Sequence, residues 1–268
     1  MNDPISTGVV VATVLGVANQ AQNFIAAASG HPGESIGTIL GNLSRRRIAN
    51  TETVVNKAGL TLLNLGVQPG EVPLNVLYPL LQAASIQEDP TLQDLWANLL
   101  ANAADPRQER AVSPSFQDAL KNLTSKDATF INAVYKSAED TANGSKPETP
   151  LIPEISMHGG DLVEGYAAAG LSRLQKLYPL TQKDMNDNKG DYEADMDDFR
   201  FTLSVAIRLG ILTEKSVPAP INTKTIERAL TSTTKMGVAT PLRVGVEVSY
   251  LFTEFGAAFV RACQPPTK

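Results

Sequence analysis

The stretch at residues 72–106, VPLNVLYPLLQAASIQEDPTLQDLWANLLANAADP, predicts two helices joined by a short linker. In the second helix, Asp89 is a favoured N-cap residue, and Pro90 suits the first helical position because the N–H that it lacks would have no partner there. Asp105 precedes Pro106 and ends the helix, since a residue before proline is pushed out of the α region. The apolar side chains between these ends recur at three- and four-residue steps and form one stripe: Leu92, Leu95, Trp96, Leu99, Leu100 and Ala103.

The first half of the stretch predicts the partner helix. Pro79 is expected to kink or delay that helix. The short linker 87–88 favours an antiparallel hairpin with Trp96, the only tryptophan, in its core. The apolar face of the partner helix consists of Leu74, Leu77, Leu81 and Ala84. The polar residues expected off the stripe of the second helix are Asp94, Asn98 and Asn102.

Several short runs carry a family resemblance. They are PLLQAAS at 79–85, LQDLWANLLANA at 92–103 with Pro106, SPSF at 113–116, LTSKDA at 123–128, and LFTEFG at 251–256 with Phe259 and Cys263. In this order they resemble the abortive-infection alpha family, bacterial proteins linked to phage defence. The resemblance covers residues 33–138 and 199–263, and it implies a role in phage defence. It brings no catalytic residues, because the matching residues are packing residues.

Composition predicts a folded protein with room for one large domain or two small ones. The chain has 268 residues, is 43% hydrophobic and carries a net charge of −5. A negative net charge argues against a nucleic-acid surface that covers the whole protein. A single cysteine, Cys263, allows no internal disulfide framework and suits a reducing bacterial cytoplasm. The start, MNDP, lacks the basic region of a secretory signal.

The N-terminal region is uncharged and rich in small residues. Residues 4–33 contain no Asp, Glu, Lys or Arg, and the apolar run is shorter than the ~20 residues of a transmembrane helix. Small residues spaced by four let helix backbones approach closely. The pattern predicts a packed helical hairpin, and the alternative is a hairpin, residues 5–41, that inserts into a membrane. The second helix of this hairpin has Gly33, Gly37 and Gly41 at that spacing.

Three consecutive arginines, Arg45, Arg46 and Arg47, are expected to follow that second helix. At a helix C-terminus they would complement the helix dipole. They could also contact anionic lipid or nucleic acid. Together with Gly33, Gly37 and Gly41, they are the candidate interaction residues, whereas Trp96, Leu99 and Leu100 form the structural motif.

The rest of the chain predicts further helices. Helices are expected over 51–65, 115–123, 124–138 and 162–178, with a loop or insertion over 139–160. The acidic stretch 183–198 is expected to be either an exposed linker or the ragged start of the next helix. The Thr124–Asp127 segment is close to a capping box. We therefore divide the chain into four segments: a glycine-rich helical region (1–70), a helical core with the family motif (71–138), an insertion with the acidic linker (139–198), and a C-terminal unit (199–268).

The C-terminal unit resembles the end of a winged-helix domain. A helix at 199–209 ends at Gly210, an alternating strand runs through 244–250, and Thr253 opens a final helix. The expected fold class is thus mainly α, a multi-helix bundle with a hairpin core and a small winged-helix-like unit. The first helix of this unit is mostly apolar and carries Phe201, Leu203, Val205, Ala206 and Leu209. On that helix, only Arg200 and Arg208 have side chains that could contact bases in a DNA groove.

The sequence holds no recognisable catalytic constellation. His31 and His158 are the only histidines, and neither belongs to a nucleophile or zinc motif. A calcium-like run begins at Asp184, but Gly190 stands at its seventh position and Asp195 stands where a bidentate Glu is needed. We therefore expect no enzyme activity, no metal and no cofactor.

Three functional hypotheses follow. The first is a non-enzymatic effector that limits phage spread through its N-terminal hairpin, acting on a membrane or on a partner helix. The second is a winged-helix DNA-binding regulator. The third is a scaffold that oligomerises through the Trp96 hairpin. We expect self-association or a protein partner, and location in the bacterial cytoplasm with membrane contact of residues 5–41 as the alternative.

Overall fold

A computed structural model describes residues 23–25, 27, 45–108, 112–144, 157–177, 180–218 and 246–267. These residues are mainly helical, as expected from the sequence. In chain order the elements are α1 (Arg45–Asn64), α2 (Leu74–Ser85), α3 (Pro90–Ala104), α4 (Pro114–Lys121), α5 (Ser125–Gly144), β1 (Met157–His158), α6 (Gly159–Ala168), a 3-10 turn (Gln175–Leu177), α7 (Gln182–Asp187), α8 (Lys189–Arg208), β2 (Leu212–Pro218), β3 (Val246–Phe252) and α9 (Glu254–Ala262).

The chain divides into two compact units. The first comprises Met1–Asn132 together with Ala257–Lys268, and the second comprises Ala133–Gly256. The first unit is therefore built from two stretches that are distant in the sequence. The four segments proposed from the sequence alone stay a prediction.

The core of the first unit is built around α3. Trp96 is 1% exposed, and Leu99 and Leu100 are fully buried, as the stripe predicts. The main partner of α3 is α1, which packs along it more extensively than α2 does. The core therefore contains more than the expected two-helix hairpin, because α1 also covers α3. The face of α1 that does so is fully buried and consists of Val54, Val55, Ala58 and Leu62.

The partner helix α2 agrees with its prediction except at its first residues. Pro79 lies inside the helix and does not delay it, since α2 already begins at Leu74, and the alternative of a kink at Pro79 stays a prediction. Leu74 was expected to face inward but is 57% exposed. It is the first helical residue, so it precedes the part of α2 that the core covers. Leu77, Leu81 and Ala84 are buried as predicted.

The helix ends in the first unit follow the local sequence signals. The Asp89 carboxylate accepts hydrogen bonds from the N–H groups of Thr91 (2.9 Å) and Leu92 (3.1 Å), with Pro90 at the first helical position. Thr124 and Asp127 form the expected capping box, in which each side chain accepts a hydrogen bond from the other residue's N–H. Both predicted N-termini are confirmed.

The second unit contains a three-stranded antiparallel sheet with strand order β1-β3-β2. Leu212 pairs with Phe252 and Glu214 with Tyr250, which confirms the predicted C-terminal strand over the described residues. The prediction of a loop over 139–160 is wrong at both ends of that range, because α5 continues to Gly144 and β1 begins at Met157. A two-residue strand is too short to show the alternation that identifies strands in a sequence.

The acidic stretch over 183–198 is helical, which agrees with the second of its two expected forms, the start of the next helix. It forms α7 and the first half of α8, and it begins with a capping box between Thr181 and Asp184. Acidic residues near a helix N-terminus are stabilised by the helix dipole, which favours helix over linker here. The helix expected over 162–178 is also shorter than predicted: α6 ends at Ala168, close to Gly170, whose φ is +76°.

The junction between α8 and the final helix is tightly packed. The Thr253 hydroxyl donates to the Gly210 carbonyl and accepts from the Gly256 N–H (2.8 Å), which confirms Thr253 as the predicted N-cap. A Cβ atom built on Gly256 would lie 2.0 Å from the Ile211 carbonyl oxygen. Only glycine fits this position, because the opposing atom belongs to backbone and has little freedom to move.

Among the described residues, none of the helices combines the length and the apolar character needed to cross a membrane. The hairpin 5–41 lies outside the described residues, apart from residues 23–25 and 27. Within that short stretch, Phe24 and Ile25 are buried, and the Phe24 ring lies 3.7 Å from a Cβ built on Gly59 of α1.

We predict that Gly256→Ala lowers the free energy of unfolding by about 3 kcal/mol, because the added methyl group must displace the Ile211 backbone. The matched control is Gly190→Ala in α8, where a Cβ meets nothing within 4 Å. That control should change stability by less than about 1 kcal/mol, in the stabilising direction. Thermal unfolding of both variants checks the prediction, and equal melting temperatures would contradict it.

Candidate interaction surfaces

Two asparagines of the family motif hold the C-terminal segment. The Asn98 amide donates to the Cys263 carbonyl (3.0 Å), and the Asn102 amide donates to the carbonyls of Ala262 (3.0 Å) and Gln264 (2.8 Å). The last carbonyls of a helix have no partner within that helix, and here α3 supplies partners to the end of α9. We call this contact the asparagine clamp. Its residues lie off the apolar stripe as predicted, yet they are structural rather than solvated.

A buried carboxylate extends this contact. The Asp105 side chain is fully buried and is bonded by the Arg107 guanidinium, with Nη2 2.7 Å from a carboxylate oxygen. This hydrogen bond lowers the pKa of Asp105. Arg107 also donates to the Thr267 carbonyl at 3.1 Å. The sequence after α9 is thus tied to the end of α3 as well as to its middle.

The predicted structural motif has no exposed face. Trp96, Leu99 and Leu100 are part of the first unit's own core, with 1% exposure or less. Cys263 is buried beside the asparagine clamp, and burial raises the pKa of its thiol. None of these four side chains is available to a partner in the folded chain.

The arginine triplet lies at the start of α1, where the sequence analysis expected the end of a preceding helix. Positive charge is unfavourable at a helix N-terminus, so these arginines need other partners. Arg47 Nε donates to the Ser85 hydroxyl (3.2 Å), and the neighbouring Asn50 amide donates to the Ser85 carbonyl (3.1 Å). Arg46 is 84% exposed and forms a 3.5 Å ion pair with Glu88. Arg47 therefore fastens α1 to the end of α2, and Arg46 remains accessible.

The glycine candidates cannot be placed. Gly33, Gly37 and Gly41 lie outside the described residues, as does His31. Of Arg45, the structure describes the helical backbone at the start of α1.

A buried carboxylate in the second unit has a structural role. Asp195 on α8 is 2% exposed and accepts hydrogen bonds from the Ser172 hydroxyl (2.6 Å), the Arg173 N–H (3.0 Å) and the Arg173 guanidinium (2.9 Å). The Ser172 hydroxyl in turn accepts from the Leu174 N–H (3.0 Å). A nucleophilic serine needs a neighbouring base that takes its proton. Here the carboxylate is committed to an arginine, and the cluster fastens the segment after α6 onto α8.

The calcium-like run forms helices instead of a metal loop. The hydrogen bond from the Thr181 side chain lowers the pKa of Asp184, whose carboxylate belongs to the capping box of α7. Asp195 points into the buried cluster. Among the described residues there is no group of His, Cys, Asp or Glu side chains that could hold a metal ion. His158 belongs to β1, where it pairs in register with Ser249.

One helix face in the second unit is exposed over four turns and was not anticipated. Phe201 is 68% exposed, because the buried side of α8 is occupied by other residues of that helix, among them Phe199 and Leu203. Acidic and basic residues flank it at helical spacing. We call this surface the α8 face and define it by its exposed members: Glu193, Asp197, Arg200, Phe201, Ser204 and Arg208.

A family model described as "Abortive infection alpha" matches residues 44–263. The chain belongs to the abortive infection alpha family. The match extends from α1 to the asparagine clamp, and it includes residues 139–198, in which the sequence showed no family motif. The glycines at 33, 37 and 41 lie before the matched region. Neither the curated proteins nor the solved structures contain a match to this chain.

We predict that Asn102→Ala lowers the free energy of unfolding by about 1–3 kcal/mol, because it leaves the partly buried carbonyls of Ala262 and Gln264 without this donor. Urea unfolding followed by fluorescence measures this change, since the only tryptophan, Trp96, is buried in the same unit. The control Asn75→Ala removes an exposed amide from α2 and should shift stability by less than about 0.5 kcal/mol. The clamp has no stabilising role if both variants unfold like the wild type.

Proposed function

We propose that this chain is an effector of abortive infection that works by binding other macromolecules and not by catalysis. The observation that carries the defence role is the family match over residues 44–263. Abortive infection limits phage spread at the expense of the infected cell, so the chain should act on a component that the infected cell needs.

The buried polar groups support the non-catalytic part of the proposal, because their hydrogen bonds go to partners within the fold. The carboxylates of Asp105 and Asp195 are neutralised by arginines, and that of Asp127 caps α5. The amide of Gln117 donates to the Val76 carbonyl at 2.9 Å and joins α4 to α2. Catalytic groups are commonly held in perturbed environments with unused bonding capacity. Each of these groups instead serves the packing of helices.

The proposed effector element is the N-terminal hairpin, for reasons of sequence. Its uncharged residues 4–33 and the spacing of Gly33, Gly37 and Gly41 suit close packing against a membrane-inserted or soluble partner helix. The element precedes the family-matched region, so this part of the proposal rests on residue chemistry and not on family membership.

A DNA-binding regulator is less well supported. Arg200 and Arg208 are exposed on α8, as groove binding would need. Glu193 and Asp197, however, lie on the same face and would repel phosphates. The mixed charge of this face therefore favours a protein over a duplex.

We predict that Gly37→Leu abolishes protection from phage, because a large side chain at this position would prevent close helix packing. Plaque counts on cells that express each variant at equal levels measure protection. The matched control is Gly37→Ala, whose small side chain should preserve most of the protection. Thermal unfolding of the purified variants separates a lost contact from a lost fold. Full protection by Gly37→Leu would exclude the hairpin as the effector element.

A further inference from the structure

The α8 face carries opposite charges on its two halves. Glu193 and Asp197 occupy the half nearer the start of α8, and Arg208 lies at its end. Phe201 stands near the centre, and its 68% exposure leaves a large aromatic side chain in water. The helix dipole alone would favour this order of charges, but it does not account for an aromatic residue between them.

The spacing of the face suits a contact with another helix. From Glu193 the exposed positions follow at steps of four, four, three and four residues through Asp197, Phe201, Ser204 and Arg208. Steps of three and four residues keep side chains on one seam of a helix, as in paired helices.

The charges available for such a contact are weakly engaged within the chain. Glu193 forms a 3.7 Å ion pair with Lys189, and Asp197 forms a 3.3 Å ion pair with Arg200. All four side chains are largely exposed, and exposed ion pairs contribute little, so they can exchange partners. Arg208 forms no ion pair with any residue that the structure describes.

We propose that the α8 face binds the same face of a second copy of this chain, with the two helices antiparallel about a two-fold axis between Arg200 and Phe201. Glu193 lies as far before that axis as Arg208 lies after it. The same holds for Asp197 and Ser204. Each Glu193 therefore faces Arg208 of the other copy, each Asp197 faces Ser204, and each Phe201 faces Arg200 beside the axis.

This arrangement accounts for the features of the face together. In each of the two Glu193–Arg208 pairs, the facing side chains have opposite charges, whereas a parallel pairing of the helices would place like charges side by side. At the centre, Arg200 of one copy covers the Phe201 ring of the other, which is a cation–π contact and removes both rings from water. Because the contact is isologous, it closes at a dimer and does not extend into a fibre. The buried Trp96 hairpin has no part in it, and the inference does not depend on the proposed effector role.

The first test is the mass of the full chain by light scattering over a range of concentrations. A contact made by one helix from each copy is small, so we expect a dimer that dissociates on dilution and that is weakened by high salt. Phe201→Ser should raise the dissociation constant at least tenfold. A chain that is monomeric at all concentrations would overturn the proposal.

The second test uses the symmetry of the pairing. Glu193→Arg and Arg208→Glu should each prevent self-association, because each variant places like charges opposite one another. Mixing the two variants should restore a dimer, since every facing pair is then of opposite charge. Native mass spectrometry distinguishes this mixed dimer by its mass. The control Asp187→Lys makes an equal change of charge at an exposed residue outside the face, and it should leave dimerisation unchanged.

Two further outcomes would overturn the proposal. One is a mixture of Glu193→Arg and Arg208→Glu that stays monomeric while the wild type dimerises, which would place the interface elsewhere. The other is a monomer whose α8 face binds a DNA duplex. In that case binding to a labelled 20-base-pair duplex would be lost in Arg208→Glu and strengthened in Glu193→Arg. Circular dichroism of each variant establishes that α8 remains folded.

Discussion

Satisfying the carbonyls at the end of the last helix is the constraint on which the first unit depends. A helix end that is buried without hydrogen-bond partners is unfavourable. The asparagine clamp meets this need from the middle of α3, and Arg107 adds a bond beyond it. The same helix contributes Trp96 to the core, so one segment organises both the apolar packing and the capture of a distant part of the chain. In this chain, the asparagines among the leucines of α3 therefore have a structural role.

The features that the sequence predicts well are those decided within a few residues. The N-caps at Asp89, Thr124 and Thr253 depend on side chains that reach the next turn of backbone, and all three are confirmed. The buried stripe around Trp96 follows from helical periodicity alone. The family assignment was predictable for the same reason, because its motif lies in this stretch.

The features that were missed depend on contacts between distant residues. Asn98 and Asn102 look like solvated positions, since the carbonyls that they bind lie about 160 residues downstream. Their presence inside a helix, where asparagine is unfavourable, was the available signal. Phe201 stands among the apolar residues of its helix, and the sequence analysis did not distinguish it from them. Periodicity alone could not show that the buried side of α8 was already occupied. The α8 face therefore became visible only in three dimensions.

The two-part construction of the first unit has a consequence for its synthesis. The unit is completed by Ala257–Lys268, whereas its other part ends at Asn132. At ~5–20 residues per second, the ribosome needs on the order of ten seconds to translate the intervening second unit. During that interval Asn98 and Asn102 lack the carbonyls of Ala262, Cys263 and Gln264 as acceptors, so a chain that ends before Ala257 has an incomplete first unit. Cellular proteases remove chains that do not complete their fold, so truncated products of this kind are expected to be short-lived.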